Sequence, residues 1–337
     1  MKSEIALPIL PTSVIGSYPR PRWLRRIIRS YNAGRIDEKV LEEAFNDAVV
    51  AVVRDQEAAG VDIPSDGEMR RDEMVEYFAK RIKGFKFYGP VRVWGNNFFN
   101  KPAVVSKLSY EEAITVKEYE FLRRVSSREI VKMTITGPYT IADWSYNEYY
   151  SSKEELAHEL AKIINREILE LERAGARFVQ IDEPALTTHP EEMEWAVEVV
   201  NEATRGVSIK LGLHVCYSNY ELLSRYFDRL NVSQFALEFA NRGFRDLEIL
   251  RRLGDKEIGF GVVDVHSRRV ESVDEVVKAL RKVMDIVSPD KIYVNPDCGL
   301  KLLPREIAKA KLEVMVEGVR ILRRELEKRG LTSIVLR

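Results

Sequence analysis

The chain lacks most of the features that would fix its class directly. It holds only two cysteines, Cys216 and Cys298, in 337 residues. Two so far apart make no disulfide framework, and neither sits in a paired CxxC motif. There is no excess of charge. The 53 basic side chains are matched by 53 acidic ones, so nothing draws the chain generally toward nucleic acid or an anionic membrane. No run nears the roughly 18 apolar residues that span a bilayer. The start, Met1-Lys2-Ser3-Glu4, is too short and polar for a secretory signal. GxGxxG and Walker patterns are missing, which removes the usual nucleotide-binding signatures. Low-complexity tracts and short-period repeats are missing too. The expectation is a soluble cytoplasmic protein with neither nucleic acid nor membrane as partner. A hydrophobic content of 45% supports a sizeable core, and the length suits one large domain or two modest ones.

What is present is concentrated around those two cysteines. His214-Val215-Cys216 places two ligand types at i and i+2, on one face of a strand. Glu238 ends the apolar run Gln234-Phe235-Ala236-Leu237. Cys298 ends Ile292-Tyr293-Val294-Asn295-Pro296-Asp297. Each therefore falls where a predicted strand gives way to a loop. Zinc takes four ligands of this nitrogen, sulfur and oxygen type. The spacing leaves two readings open: a metal centre, or two buried cysteines acting as small hydrophobes.

Short apolar or β-branched runs followed by helical periodicity recur eight times, ending near Ser17, Glu68, Gly137, Asp182, Cys216, Glu238, His266 and Cys298. Residues 36–59 are amphipathic and stop at Gly60. Ser152 to Glu155 and Ser272 to Glu275 are capping-box patterns, the first opening a helix that runs to Gly175. Pro304 suits the start of the last long helix. Strands alternating with helices predict a parallel α/β sheet, and eight units predict a (β/α)8 TIM barrel forming one domain over 1–337. The rival is a doubly wound open sheet. Residues 84–129 interrupt the repeat between the second and third strands. They are rich in aromatics and glycine, which predicts a hairpin-like insertion, either a lid over the barrel mouth or plain packing.

In such a barrel, catalytic groups come from the C-terminal strand ends. Ser17, Asp66, Glu68, Asp182, Glu183, Asp264 and His266 all fall there, beside the metal candidates. A single acid could cap the next helix, and that explanation suits Asp66 and Asp297. It suits six strand ends less well. Two thiolates, a carboxylate and a neutral imidazole around Zn2+ leave a formal charge of about −1. Such a zinc polarises carbonyls poorly but holds a further thiolate well. This favours thiol activation over hydrolysis, with a structural zinc as the other option.

Several motifs carry a resemblance. They are Ile15-Gly16-Ser17-Tyr18-Pro19, Asp66-Gly67-Glu68, Asp72-Glu73-Met74-Val75-Glu76-Tyr77-Phe78, Thr136-Gly137-Pro138 with Trp144-Ser145, Gln180-Ile181-Asp182-Glu183-Pro184-Ala185-Leu186, His214-Val215-Cys216-Tyr217, Asp264-Val265-His266-Ser267 and Val294-Asn295-Pro296-Asp297-Cys298-Gly299-Leu300-Lys301. Together they span about residues 11–301. In them the chain resembles the cobalamin-independent methionine synthases, in their catalytic barrel. The resemblance implies a methyltransferase that makes L-methionine from L-homocysteine. It implies zinc on His214, Cys216, Glu238 and Cys298. Ile15, Gly16 and Ser17 would hold the homocysteine carboxylate, and Glu68 and Asp182 its ammonium group. Trp144 would stack on a flat methyl donor. His266 would be a general acid oriented by Asp264. His158 and His189 match no motif and are expected on a helix surface and in a loop.

The donor is the open part of the resemblance. Family members that use folate polyglutamate usually carry a second barrel, whereas this chain resembles single-barrel relatives of archaeal type. The Arg-Ser pair that contacts folate in the family is replaced at about Asn97 and Phe98. The expected donor is thus a methyl pterin or a methylcobalamin-type corrinoid protein, and a separate accessory chain could supply what a second barrel does. Two rivals to this reading are a related barrel that methylates another thiol, such as coenzyme M, and a non-catalytic, zinc-stabilised binding protein.

Overall fold

The computed structural model describes residues 5–94 and 97–336. Local sequence accounts for the element boundaries. Strand β1 (Ala6–Pro8) is followed by helices α1 (Arg22–Asn32) and α2 (Glu38–Ala59). The Asp37 carboxylate accepts the Val40 N–H to open α2, and Gly60, at φ 93°, closes it. Next come α3 (Met74–Ala79), β2 (Lys83–Trp94), β3 (Asn97–Ser109), α4 (Val116–Val125), β4 (Met133–Thr136), α5 (Pro138–Asp143), β5 (Tyr146–Asn147) and α6 (Lys153–Arg173). Ser152 caps α6 through the Glu155 N–H, but the Glu155 carboxylate turns to Ser151, so the predicted capping box is only half formed. The chain continues through β6 (Phe178–Asp182), α7 (Met193–Ala203), β7 (Lys210–Val215), α8 (Tyr220–Ser224), β8 (Gln234–Leu237) and β9 (Glu257–Val263). It ends with α9 (Val273–Met284), β10 (Ile292–Pro296), α10 (Arg305–Glu327) and β11 (Ser333–Val335). The box at Ser272 and Glu275 is complete. A 3-10 turn, Leu247–Arg252, stands where a helix is expected after β8.

Six strands form one parallel sheet in the order β10-β9-β8-β7-β6-β4. Strands β4, β6, β7, β8 and β10 are buried along their whole length, as expected of parallel strands covered by helices. The strands predicted to end near Ser17 and Glu68 do not form ladders. Segments 11–13 and 62–64 make isolated parallel bridges instead, Thr12 with Val294 and Ser13 with Ile63. Ser13 N–H donates to the Val294 carbonyl, Ile63 N–H to Thr12, and Lys132 N–H to Pro64. Pro11 and Pro64 have no N–H to extend these contacts. Both segments thus lie between the outer strands β10 and β4.

The interruption between the second and third units is an antiparallel hairpin of β2 and β3, followed by α4. Its register slips between Phe87 and Pro90, where proline removes a ladder donor. Strands β1 and β11 pair antiparallel and bring the two ends of the described chain together. No helix among the described residues is long and apolar enough to cross a membrane.

Candidate metal centre and adjoining pocket

Strand β7 sets the first two donors. His214 lies within it and Cys216 one residue past its end, so both point to the same side. Cys298 follows β10 by two residues. The ligand atoms of these three lie within 4.8 Å of one another. His214 Nδ1 lies 2.9 Å from the Ala236 carbonyl, which can only accept. This leaves Nε2 turned to Cys298 Sγ, 3.4 Å away. Crowding shows in the ionisation. A hydrogen bond with Cys216, together with burial, pushes the Cys298 thiol well above its ordinary range. Burial opposes charge on His214, but Cys298 and Asp182 overcome it and raise the imidazole to about 9.

Glu238 follows β8 and is buried. Its carboxylate lies outside the 4.8 Å group that the other three form. Oε2 accepts the Tyr217 N–H at 3.0 Å and the Asn241 amide at 3.4 Å. Oε1 is buried with no hydrogen-bond partner. A buried carboxylate oxygen left bare is costly. Two thiols, an imidazole and that bare oxygen are the donor set of a zinc site, so the residues present fit such an ion. Asp297 does not cap the next helix, as its strand-end position allowed. It accepts the N–H groups of Phe239, Ala240 and Asn241 and so shapes the loop after Glu238.

His266 stands at the rim. Its Nε2 is 3.5 Å from Glu238 Oε1. The expectation that Asp264 orients its ring needs correction. Asp264 Oδ1 accepts the backbone N–H of His266 at 2.8 Å, while the ring Nδ1 meets the Tyr217 hydroxyl at 3.0 Å. Asp264 thus shapes the turn and Tyr217 holds the imidazole, because the i, i+2 spacing closes a local Asx-type turn first. Tyr217 was missed by sequence reasoning; its only signal was its place after Cys216. It is 72% exposed.

A pocket of acids adjoins this centre. Asp182 ends β6 and pairs in register with His214 on β7. Burial pushes its carboxyl up to about 6; His214 opposes the rise, Glu68 adds to it, and Gln180 and Lys132 hold it back. Glu68 follows Gly67 with φ 55°, and Thr134 Oγ1 donates to its Oε1 at 3.1 Å. Arg71, fully buried, donates to Thr134 Oγ1 and to the Thr134 carbonyl. It is a further residue that sequence reasoning missed, since a lone arginine in a turn has no spacing signature. Asp66 does not cap the next helix either; its Oδ1 accepts the Glu68 N–H.

Glycines set the approach distances. A Cβ on Gly16 would lie 2.3 Å from Glu68 Oε1, so the acid lies directly over the Ile15–Ser17 turn. A Cβ on Gly299 would lie 2.1 Å from Ser17 Oγ. Glu183, next to Asp182, points elsewhere. It accepts the Tyr139 and Thr140 N–H groups and the Thr140 hydroxyl at the start of α5. Trp144, half-buried, ends that helix. His158 contacts Glu202 and His189 contacts Asp143, both apart from the cluster. The stretch Trp94–Phe99, on which the donor expectation partly rests, includes residues 95 and 96, outside the described residues.

Residues 10–320 match the family described as the cobalamin-independent synthase, catalytic domain. A methionine synthase of Thermococcus kodakarensis is 61% identical over 98% of this chain and 98% of its own length. One of Sulfurisphaera tokodaii is 55% identical over the same shares. A solved B12-independent methionine synthase of Shewanella sp. W3-18-1, in complex with selenomethionine, superposes with a TM-score of 0.86. It is 29% identical, and the match covers 95% of this chain and 99% of that one. The chain belongs to the cobalamin-independent methionine synthase family and is a methyltransferase.

Proposed function

We propose that this family member transfers a methyl group to the thiol of L-homocysteine, forming L-methionine, at a zinc ion held by His214, Cys216, Glu238 and Cys298. The observation that carries the reading is the packing of His214, Cys216 and Cys298 within 4.8 Å beside the bare, buried Glu238 Oε1. Zinc bound there would lower the thiol pKa, so that sulfur is held as thiolate near neutral pH. Glu68 and Asp182 take the substrate ammonium group, which needs anionic partners. The Ile15–Ser17 turn takes its carboxylate through N–H and hydroxyl donors. This pair of acids disfavours a sulfonate thiol such as coenzyme M.

The donor is a methyl pterin or a methylated corrinoid. Sulfur forms the new bond to carbon while the donor keeps the electron pair of the bond that breaks. A pterin nitrogen is a poor leaving group, so His266 gives it a proton; a cobalt leaving group needs none. Trp144 offers the donor a flat apolar face. We also read segments 11–13 and 62–64 as the two strands that complete a (β/α)8 barrel in one domain, with the β2–β3 hairpin as a lid over its mouth. The assignment to the cytoplasm belongs to the same reading.

The test is metal analysis together with methyl transfer. About one zinc per chain is expected, with methionine formed from homocysteine and either methylcobalamin or a methylated pterin. A folded, zinc-replete protein that yields no methionine from any of these donors would refute the function.

A further inference from the structure

Two polar residues beneath the pocket have no part in the chemistry above. Gln180 and Lys132 are both fully buried. Along β6, Phe178, Gln180 and Asp182 share one face. Gln180 Nε2 donates to Asp182 Oδ1 at 2.7 Å and to the Ile15 carbonyl at 3.0 Å. Its Oε1 accepts from Lys132 Nζ at 2.6 Å. The amide has only one workable orientation. Both Asp182 and the Ile15 carbonyl accept hydrogen bonds, so the NH2 group must face them and the oxygen is left for Lys132.

Lys132 gains little for the fold from this arrangement. Its Nζ bonds to the Gln180 amide oxygen, and the Asp182 carboxylate acts on its charge only through space. It lies over the Phe178 ring, 5.4 Å from the centroid. A buried amine paired only with an amide costs stability that apolar side chains of similar volume would not. Something other than core packing keeps the pair there.

The geometry shows what it holds. Gln180 fixes the Ile15 carbonyl, and Ser65 Oγ fixes the Gly16 carbonyl at 3.0 Å. In a planar trans peptide the next N–H points the opposite way. The Gly16 and Ser17 N–H groups are therefore aimed away from these anchors, as a carboxylate cradle requires. The same Gln180 amide grips Asp182, on the ammonium side of the pocket.

We infer that Gln180, braced by Lys132, is a positioning residue that locks Asp182 and the Ile15–Ser17 turn at one spacing and so selects a thiol carrying an α-amino acid head. The inference rests on the homocysteine reading proposed above and deepens it. Gln180 touches no substrate atom. It acts through the two groups that do.

The test compares homocysteine with its deaminated analogue, 4-mercaptobutanoate, in the zinc-loaded enzyme. Gln180→Met and Lys132→Met remove the brace without changing side-chain volume much. Asp182→Asn serves as the reference. Gln180→Met is expected to lower the preference for homocysteine, as a ratio of kcat/KM values, by about tenfold, mostly through KM. Lys132→Met should move it the same way by less. Zinc content should hold within about twofold, and turnover of the analogue, which keeps the carboxylate but lacks the ammonium group, should fall less than that of homocysteine. Gln180→Glu, which sets an acceptor against two acceptors, should be at least as damaging as Gln180→Met. A space-filling role predicts that all three brace variants leave the ratio unchanged, and that result in folded, zinc-replete protein would overturn the inference. If Gln180→Met does not fold, Lys132→Met decides by the same ratio. An unchanged ratio in Asp182→Asn as well would mean that the pocket reading itself has failed. A change in Asp182→Asn alone would leave that reading standing and refute only the brace.

Discussion

Gly299→Ala tests the proposed amino-acid pocket from a residue that is itself assigned no role there. The new Cβ would lie 2.1 Å from Ser17 Oγ, well inside contact distance, but 3.3 Å from Ser17 Cβ and 3.6 Å from its backbone nitrogen. The backbone can stay and the hydroxyl cannot. Gly299 is not among the residues with positive φ, so alanine adds no backbone strain there. The Leu300 N–H to Ser17 carbonyl bond also has no reason to break. Ser17 should turn to another rotamer and lose its proposed contact with the substrate carboxylate. A hydrogen bond to a charged group is worth about 1.5–3 kcal/mol, which corresponds to roughly a 10- to 150-fold fall in kcat/KM for homocysteine. Zinc content and the thermal midpoint should change little. The decisive measurement is a double-mutant cycle. In a Ser17→Ala background there is no hydroxyl to displace, so Gly299→Ala should be nearly silent. An equal loss in both backgrounds would show that the methyl group acts elsewhere, for example through Cys298, and would refute the argument.

Other expectations follow from the same contacts. Cys216→Ser or Cys298→Ser should lose both zinc and activity while circular dichroism shows the fold intact; a zinc-replete serine variant would contradict the ligand set. His266→Ala should slow transfer from a methyl pterin and largely spare transfer from methylcobalamin, with Tyr217→Phe a weaker copy of it; equal losses with both donors would count against proton donation by His266. Burial pushes the Lys132 amine down to about 7, with Asp182 opposing the shift. The unfolded chain then binds more protons between about pH 7 and 10.5, so this group makes stability rise with pH over that window. Denaturant unfolding should show the wild type gaining about 2 kcal/mol between pH 7.5 and 9.5 relative to Lys132→Met; parallel curves for the two proteins would mean that Lys132 does not titrate there.

Much of the candidate site was legible because it lies at strand ends. His214, Cys216, Glu238 and Cys298 each follow or close an apolar run, and β7, β8 and β10 place them there. Asp182 was picked out as a candidate the same way, at the end of β6. The parallel sheet was legible from the alternation of strands and helices. Periodicity could not show that segments 11–13 and 62–64 make bridges rather than ladders, since that depends on proline N–H groups missing opposite a neighbour distant in sequence. The role of Asp264 was misread for a related reason. Two residues of spacing bring its carboxylate to the His266 backbone before it can reach the ring, and the ring's true partner, Tyr217, comes from another strand end.

Backbone strain singles out the same residues. Four non-glycine residues have positive φ among those described: Leu10, Glu68, Tyr217 and Phe244. Two of them lie at the site. Each costs about 1–3 kcal/mol and persists only where its surroundings over-determine it. At Glu68 the turn lays the carboxylate over Gly16, within reach of Thr134. At Tyr217 it points the N–H at Glu238 Oε2 and the hydroxyl at His266, leaving Oε1 bare. A relaxed backbone at either position would re-aim one acid of the proposed substrate pocket or free one oxygen of the candidate metal centre. Glycine would remove the strain at 68 but would also remove the acid, and at 217 it would keep the N–H but lose the grip on His266. The strain is therefore tied to the side chains it aims, and the two strained turns bracket the space that the proposed function gives to thiol and ammonium group.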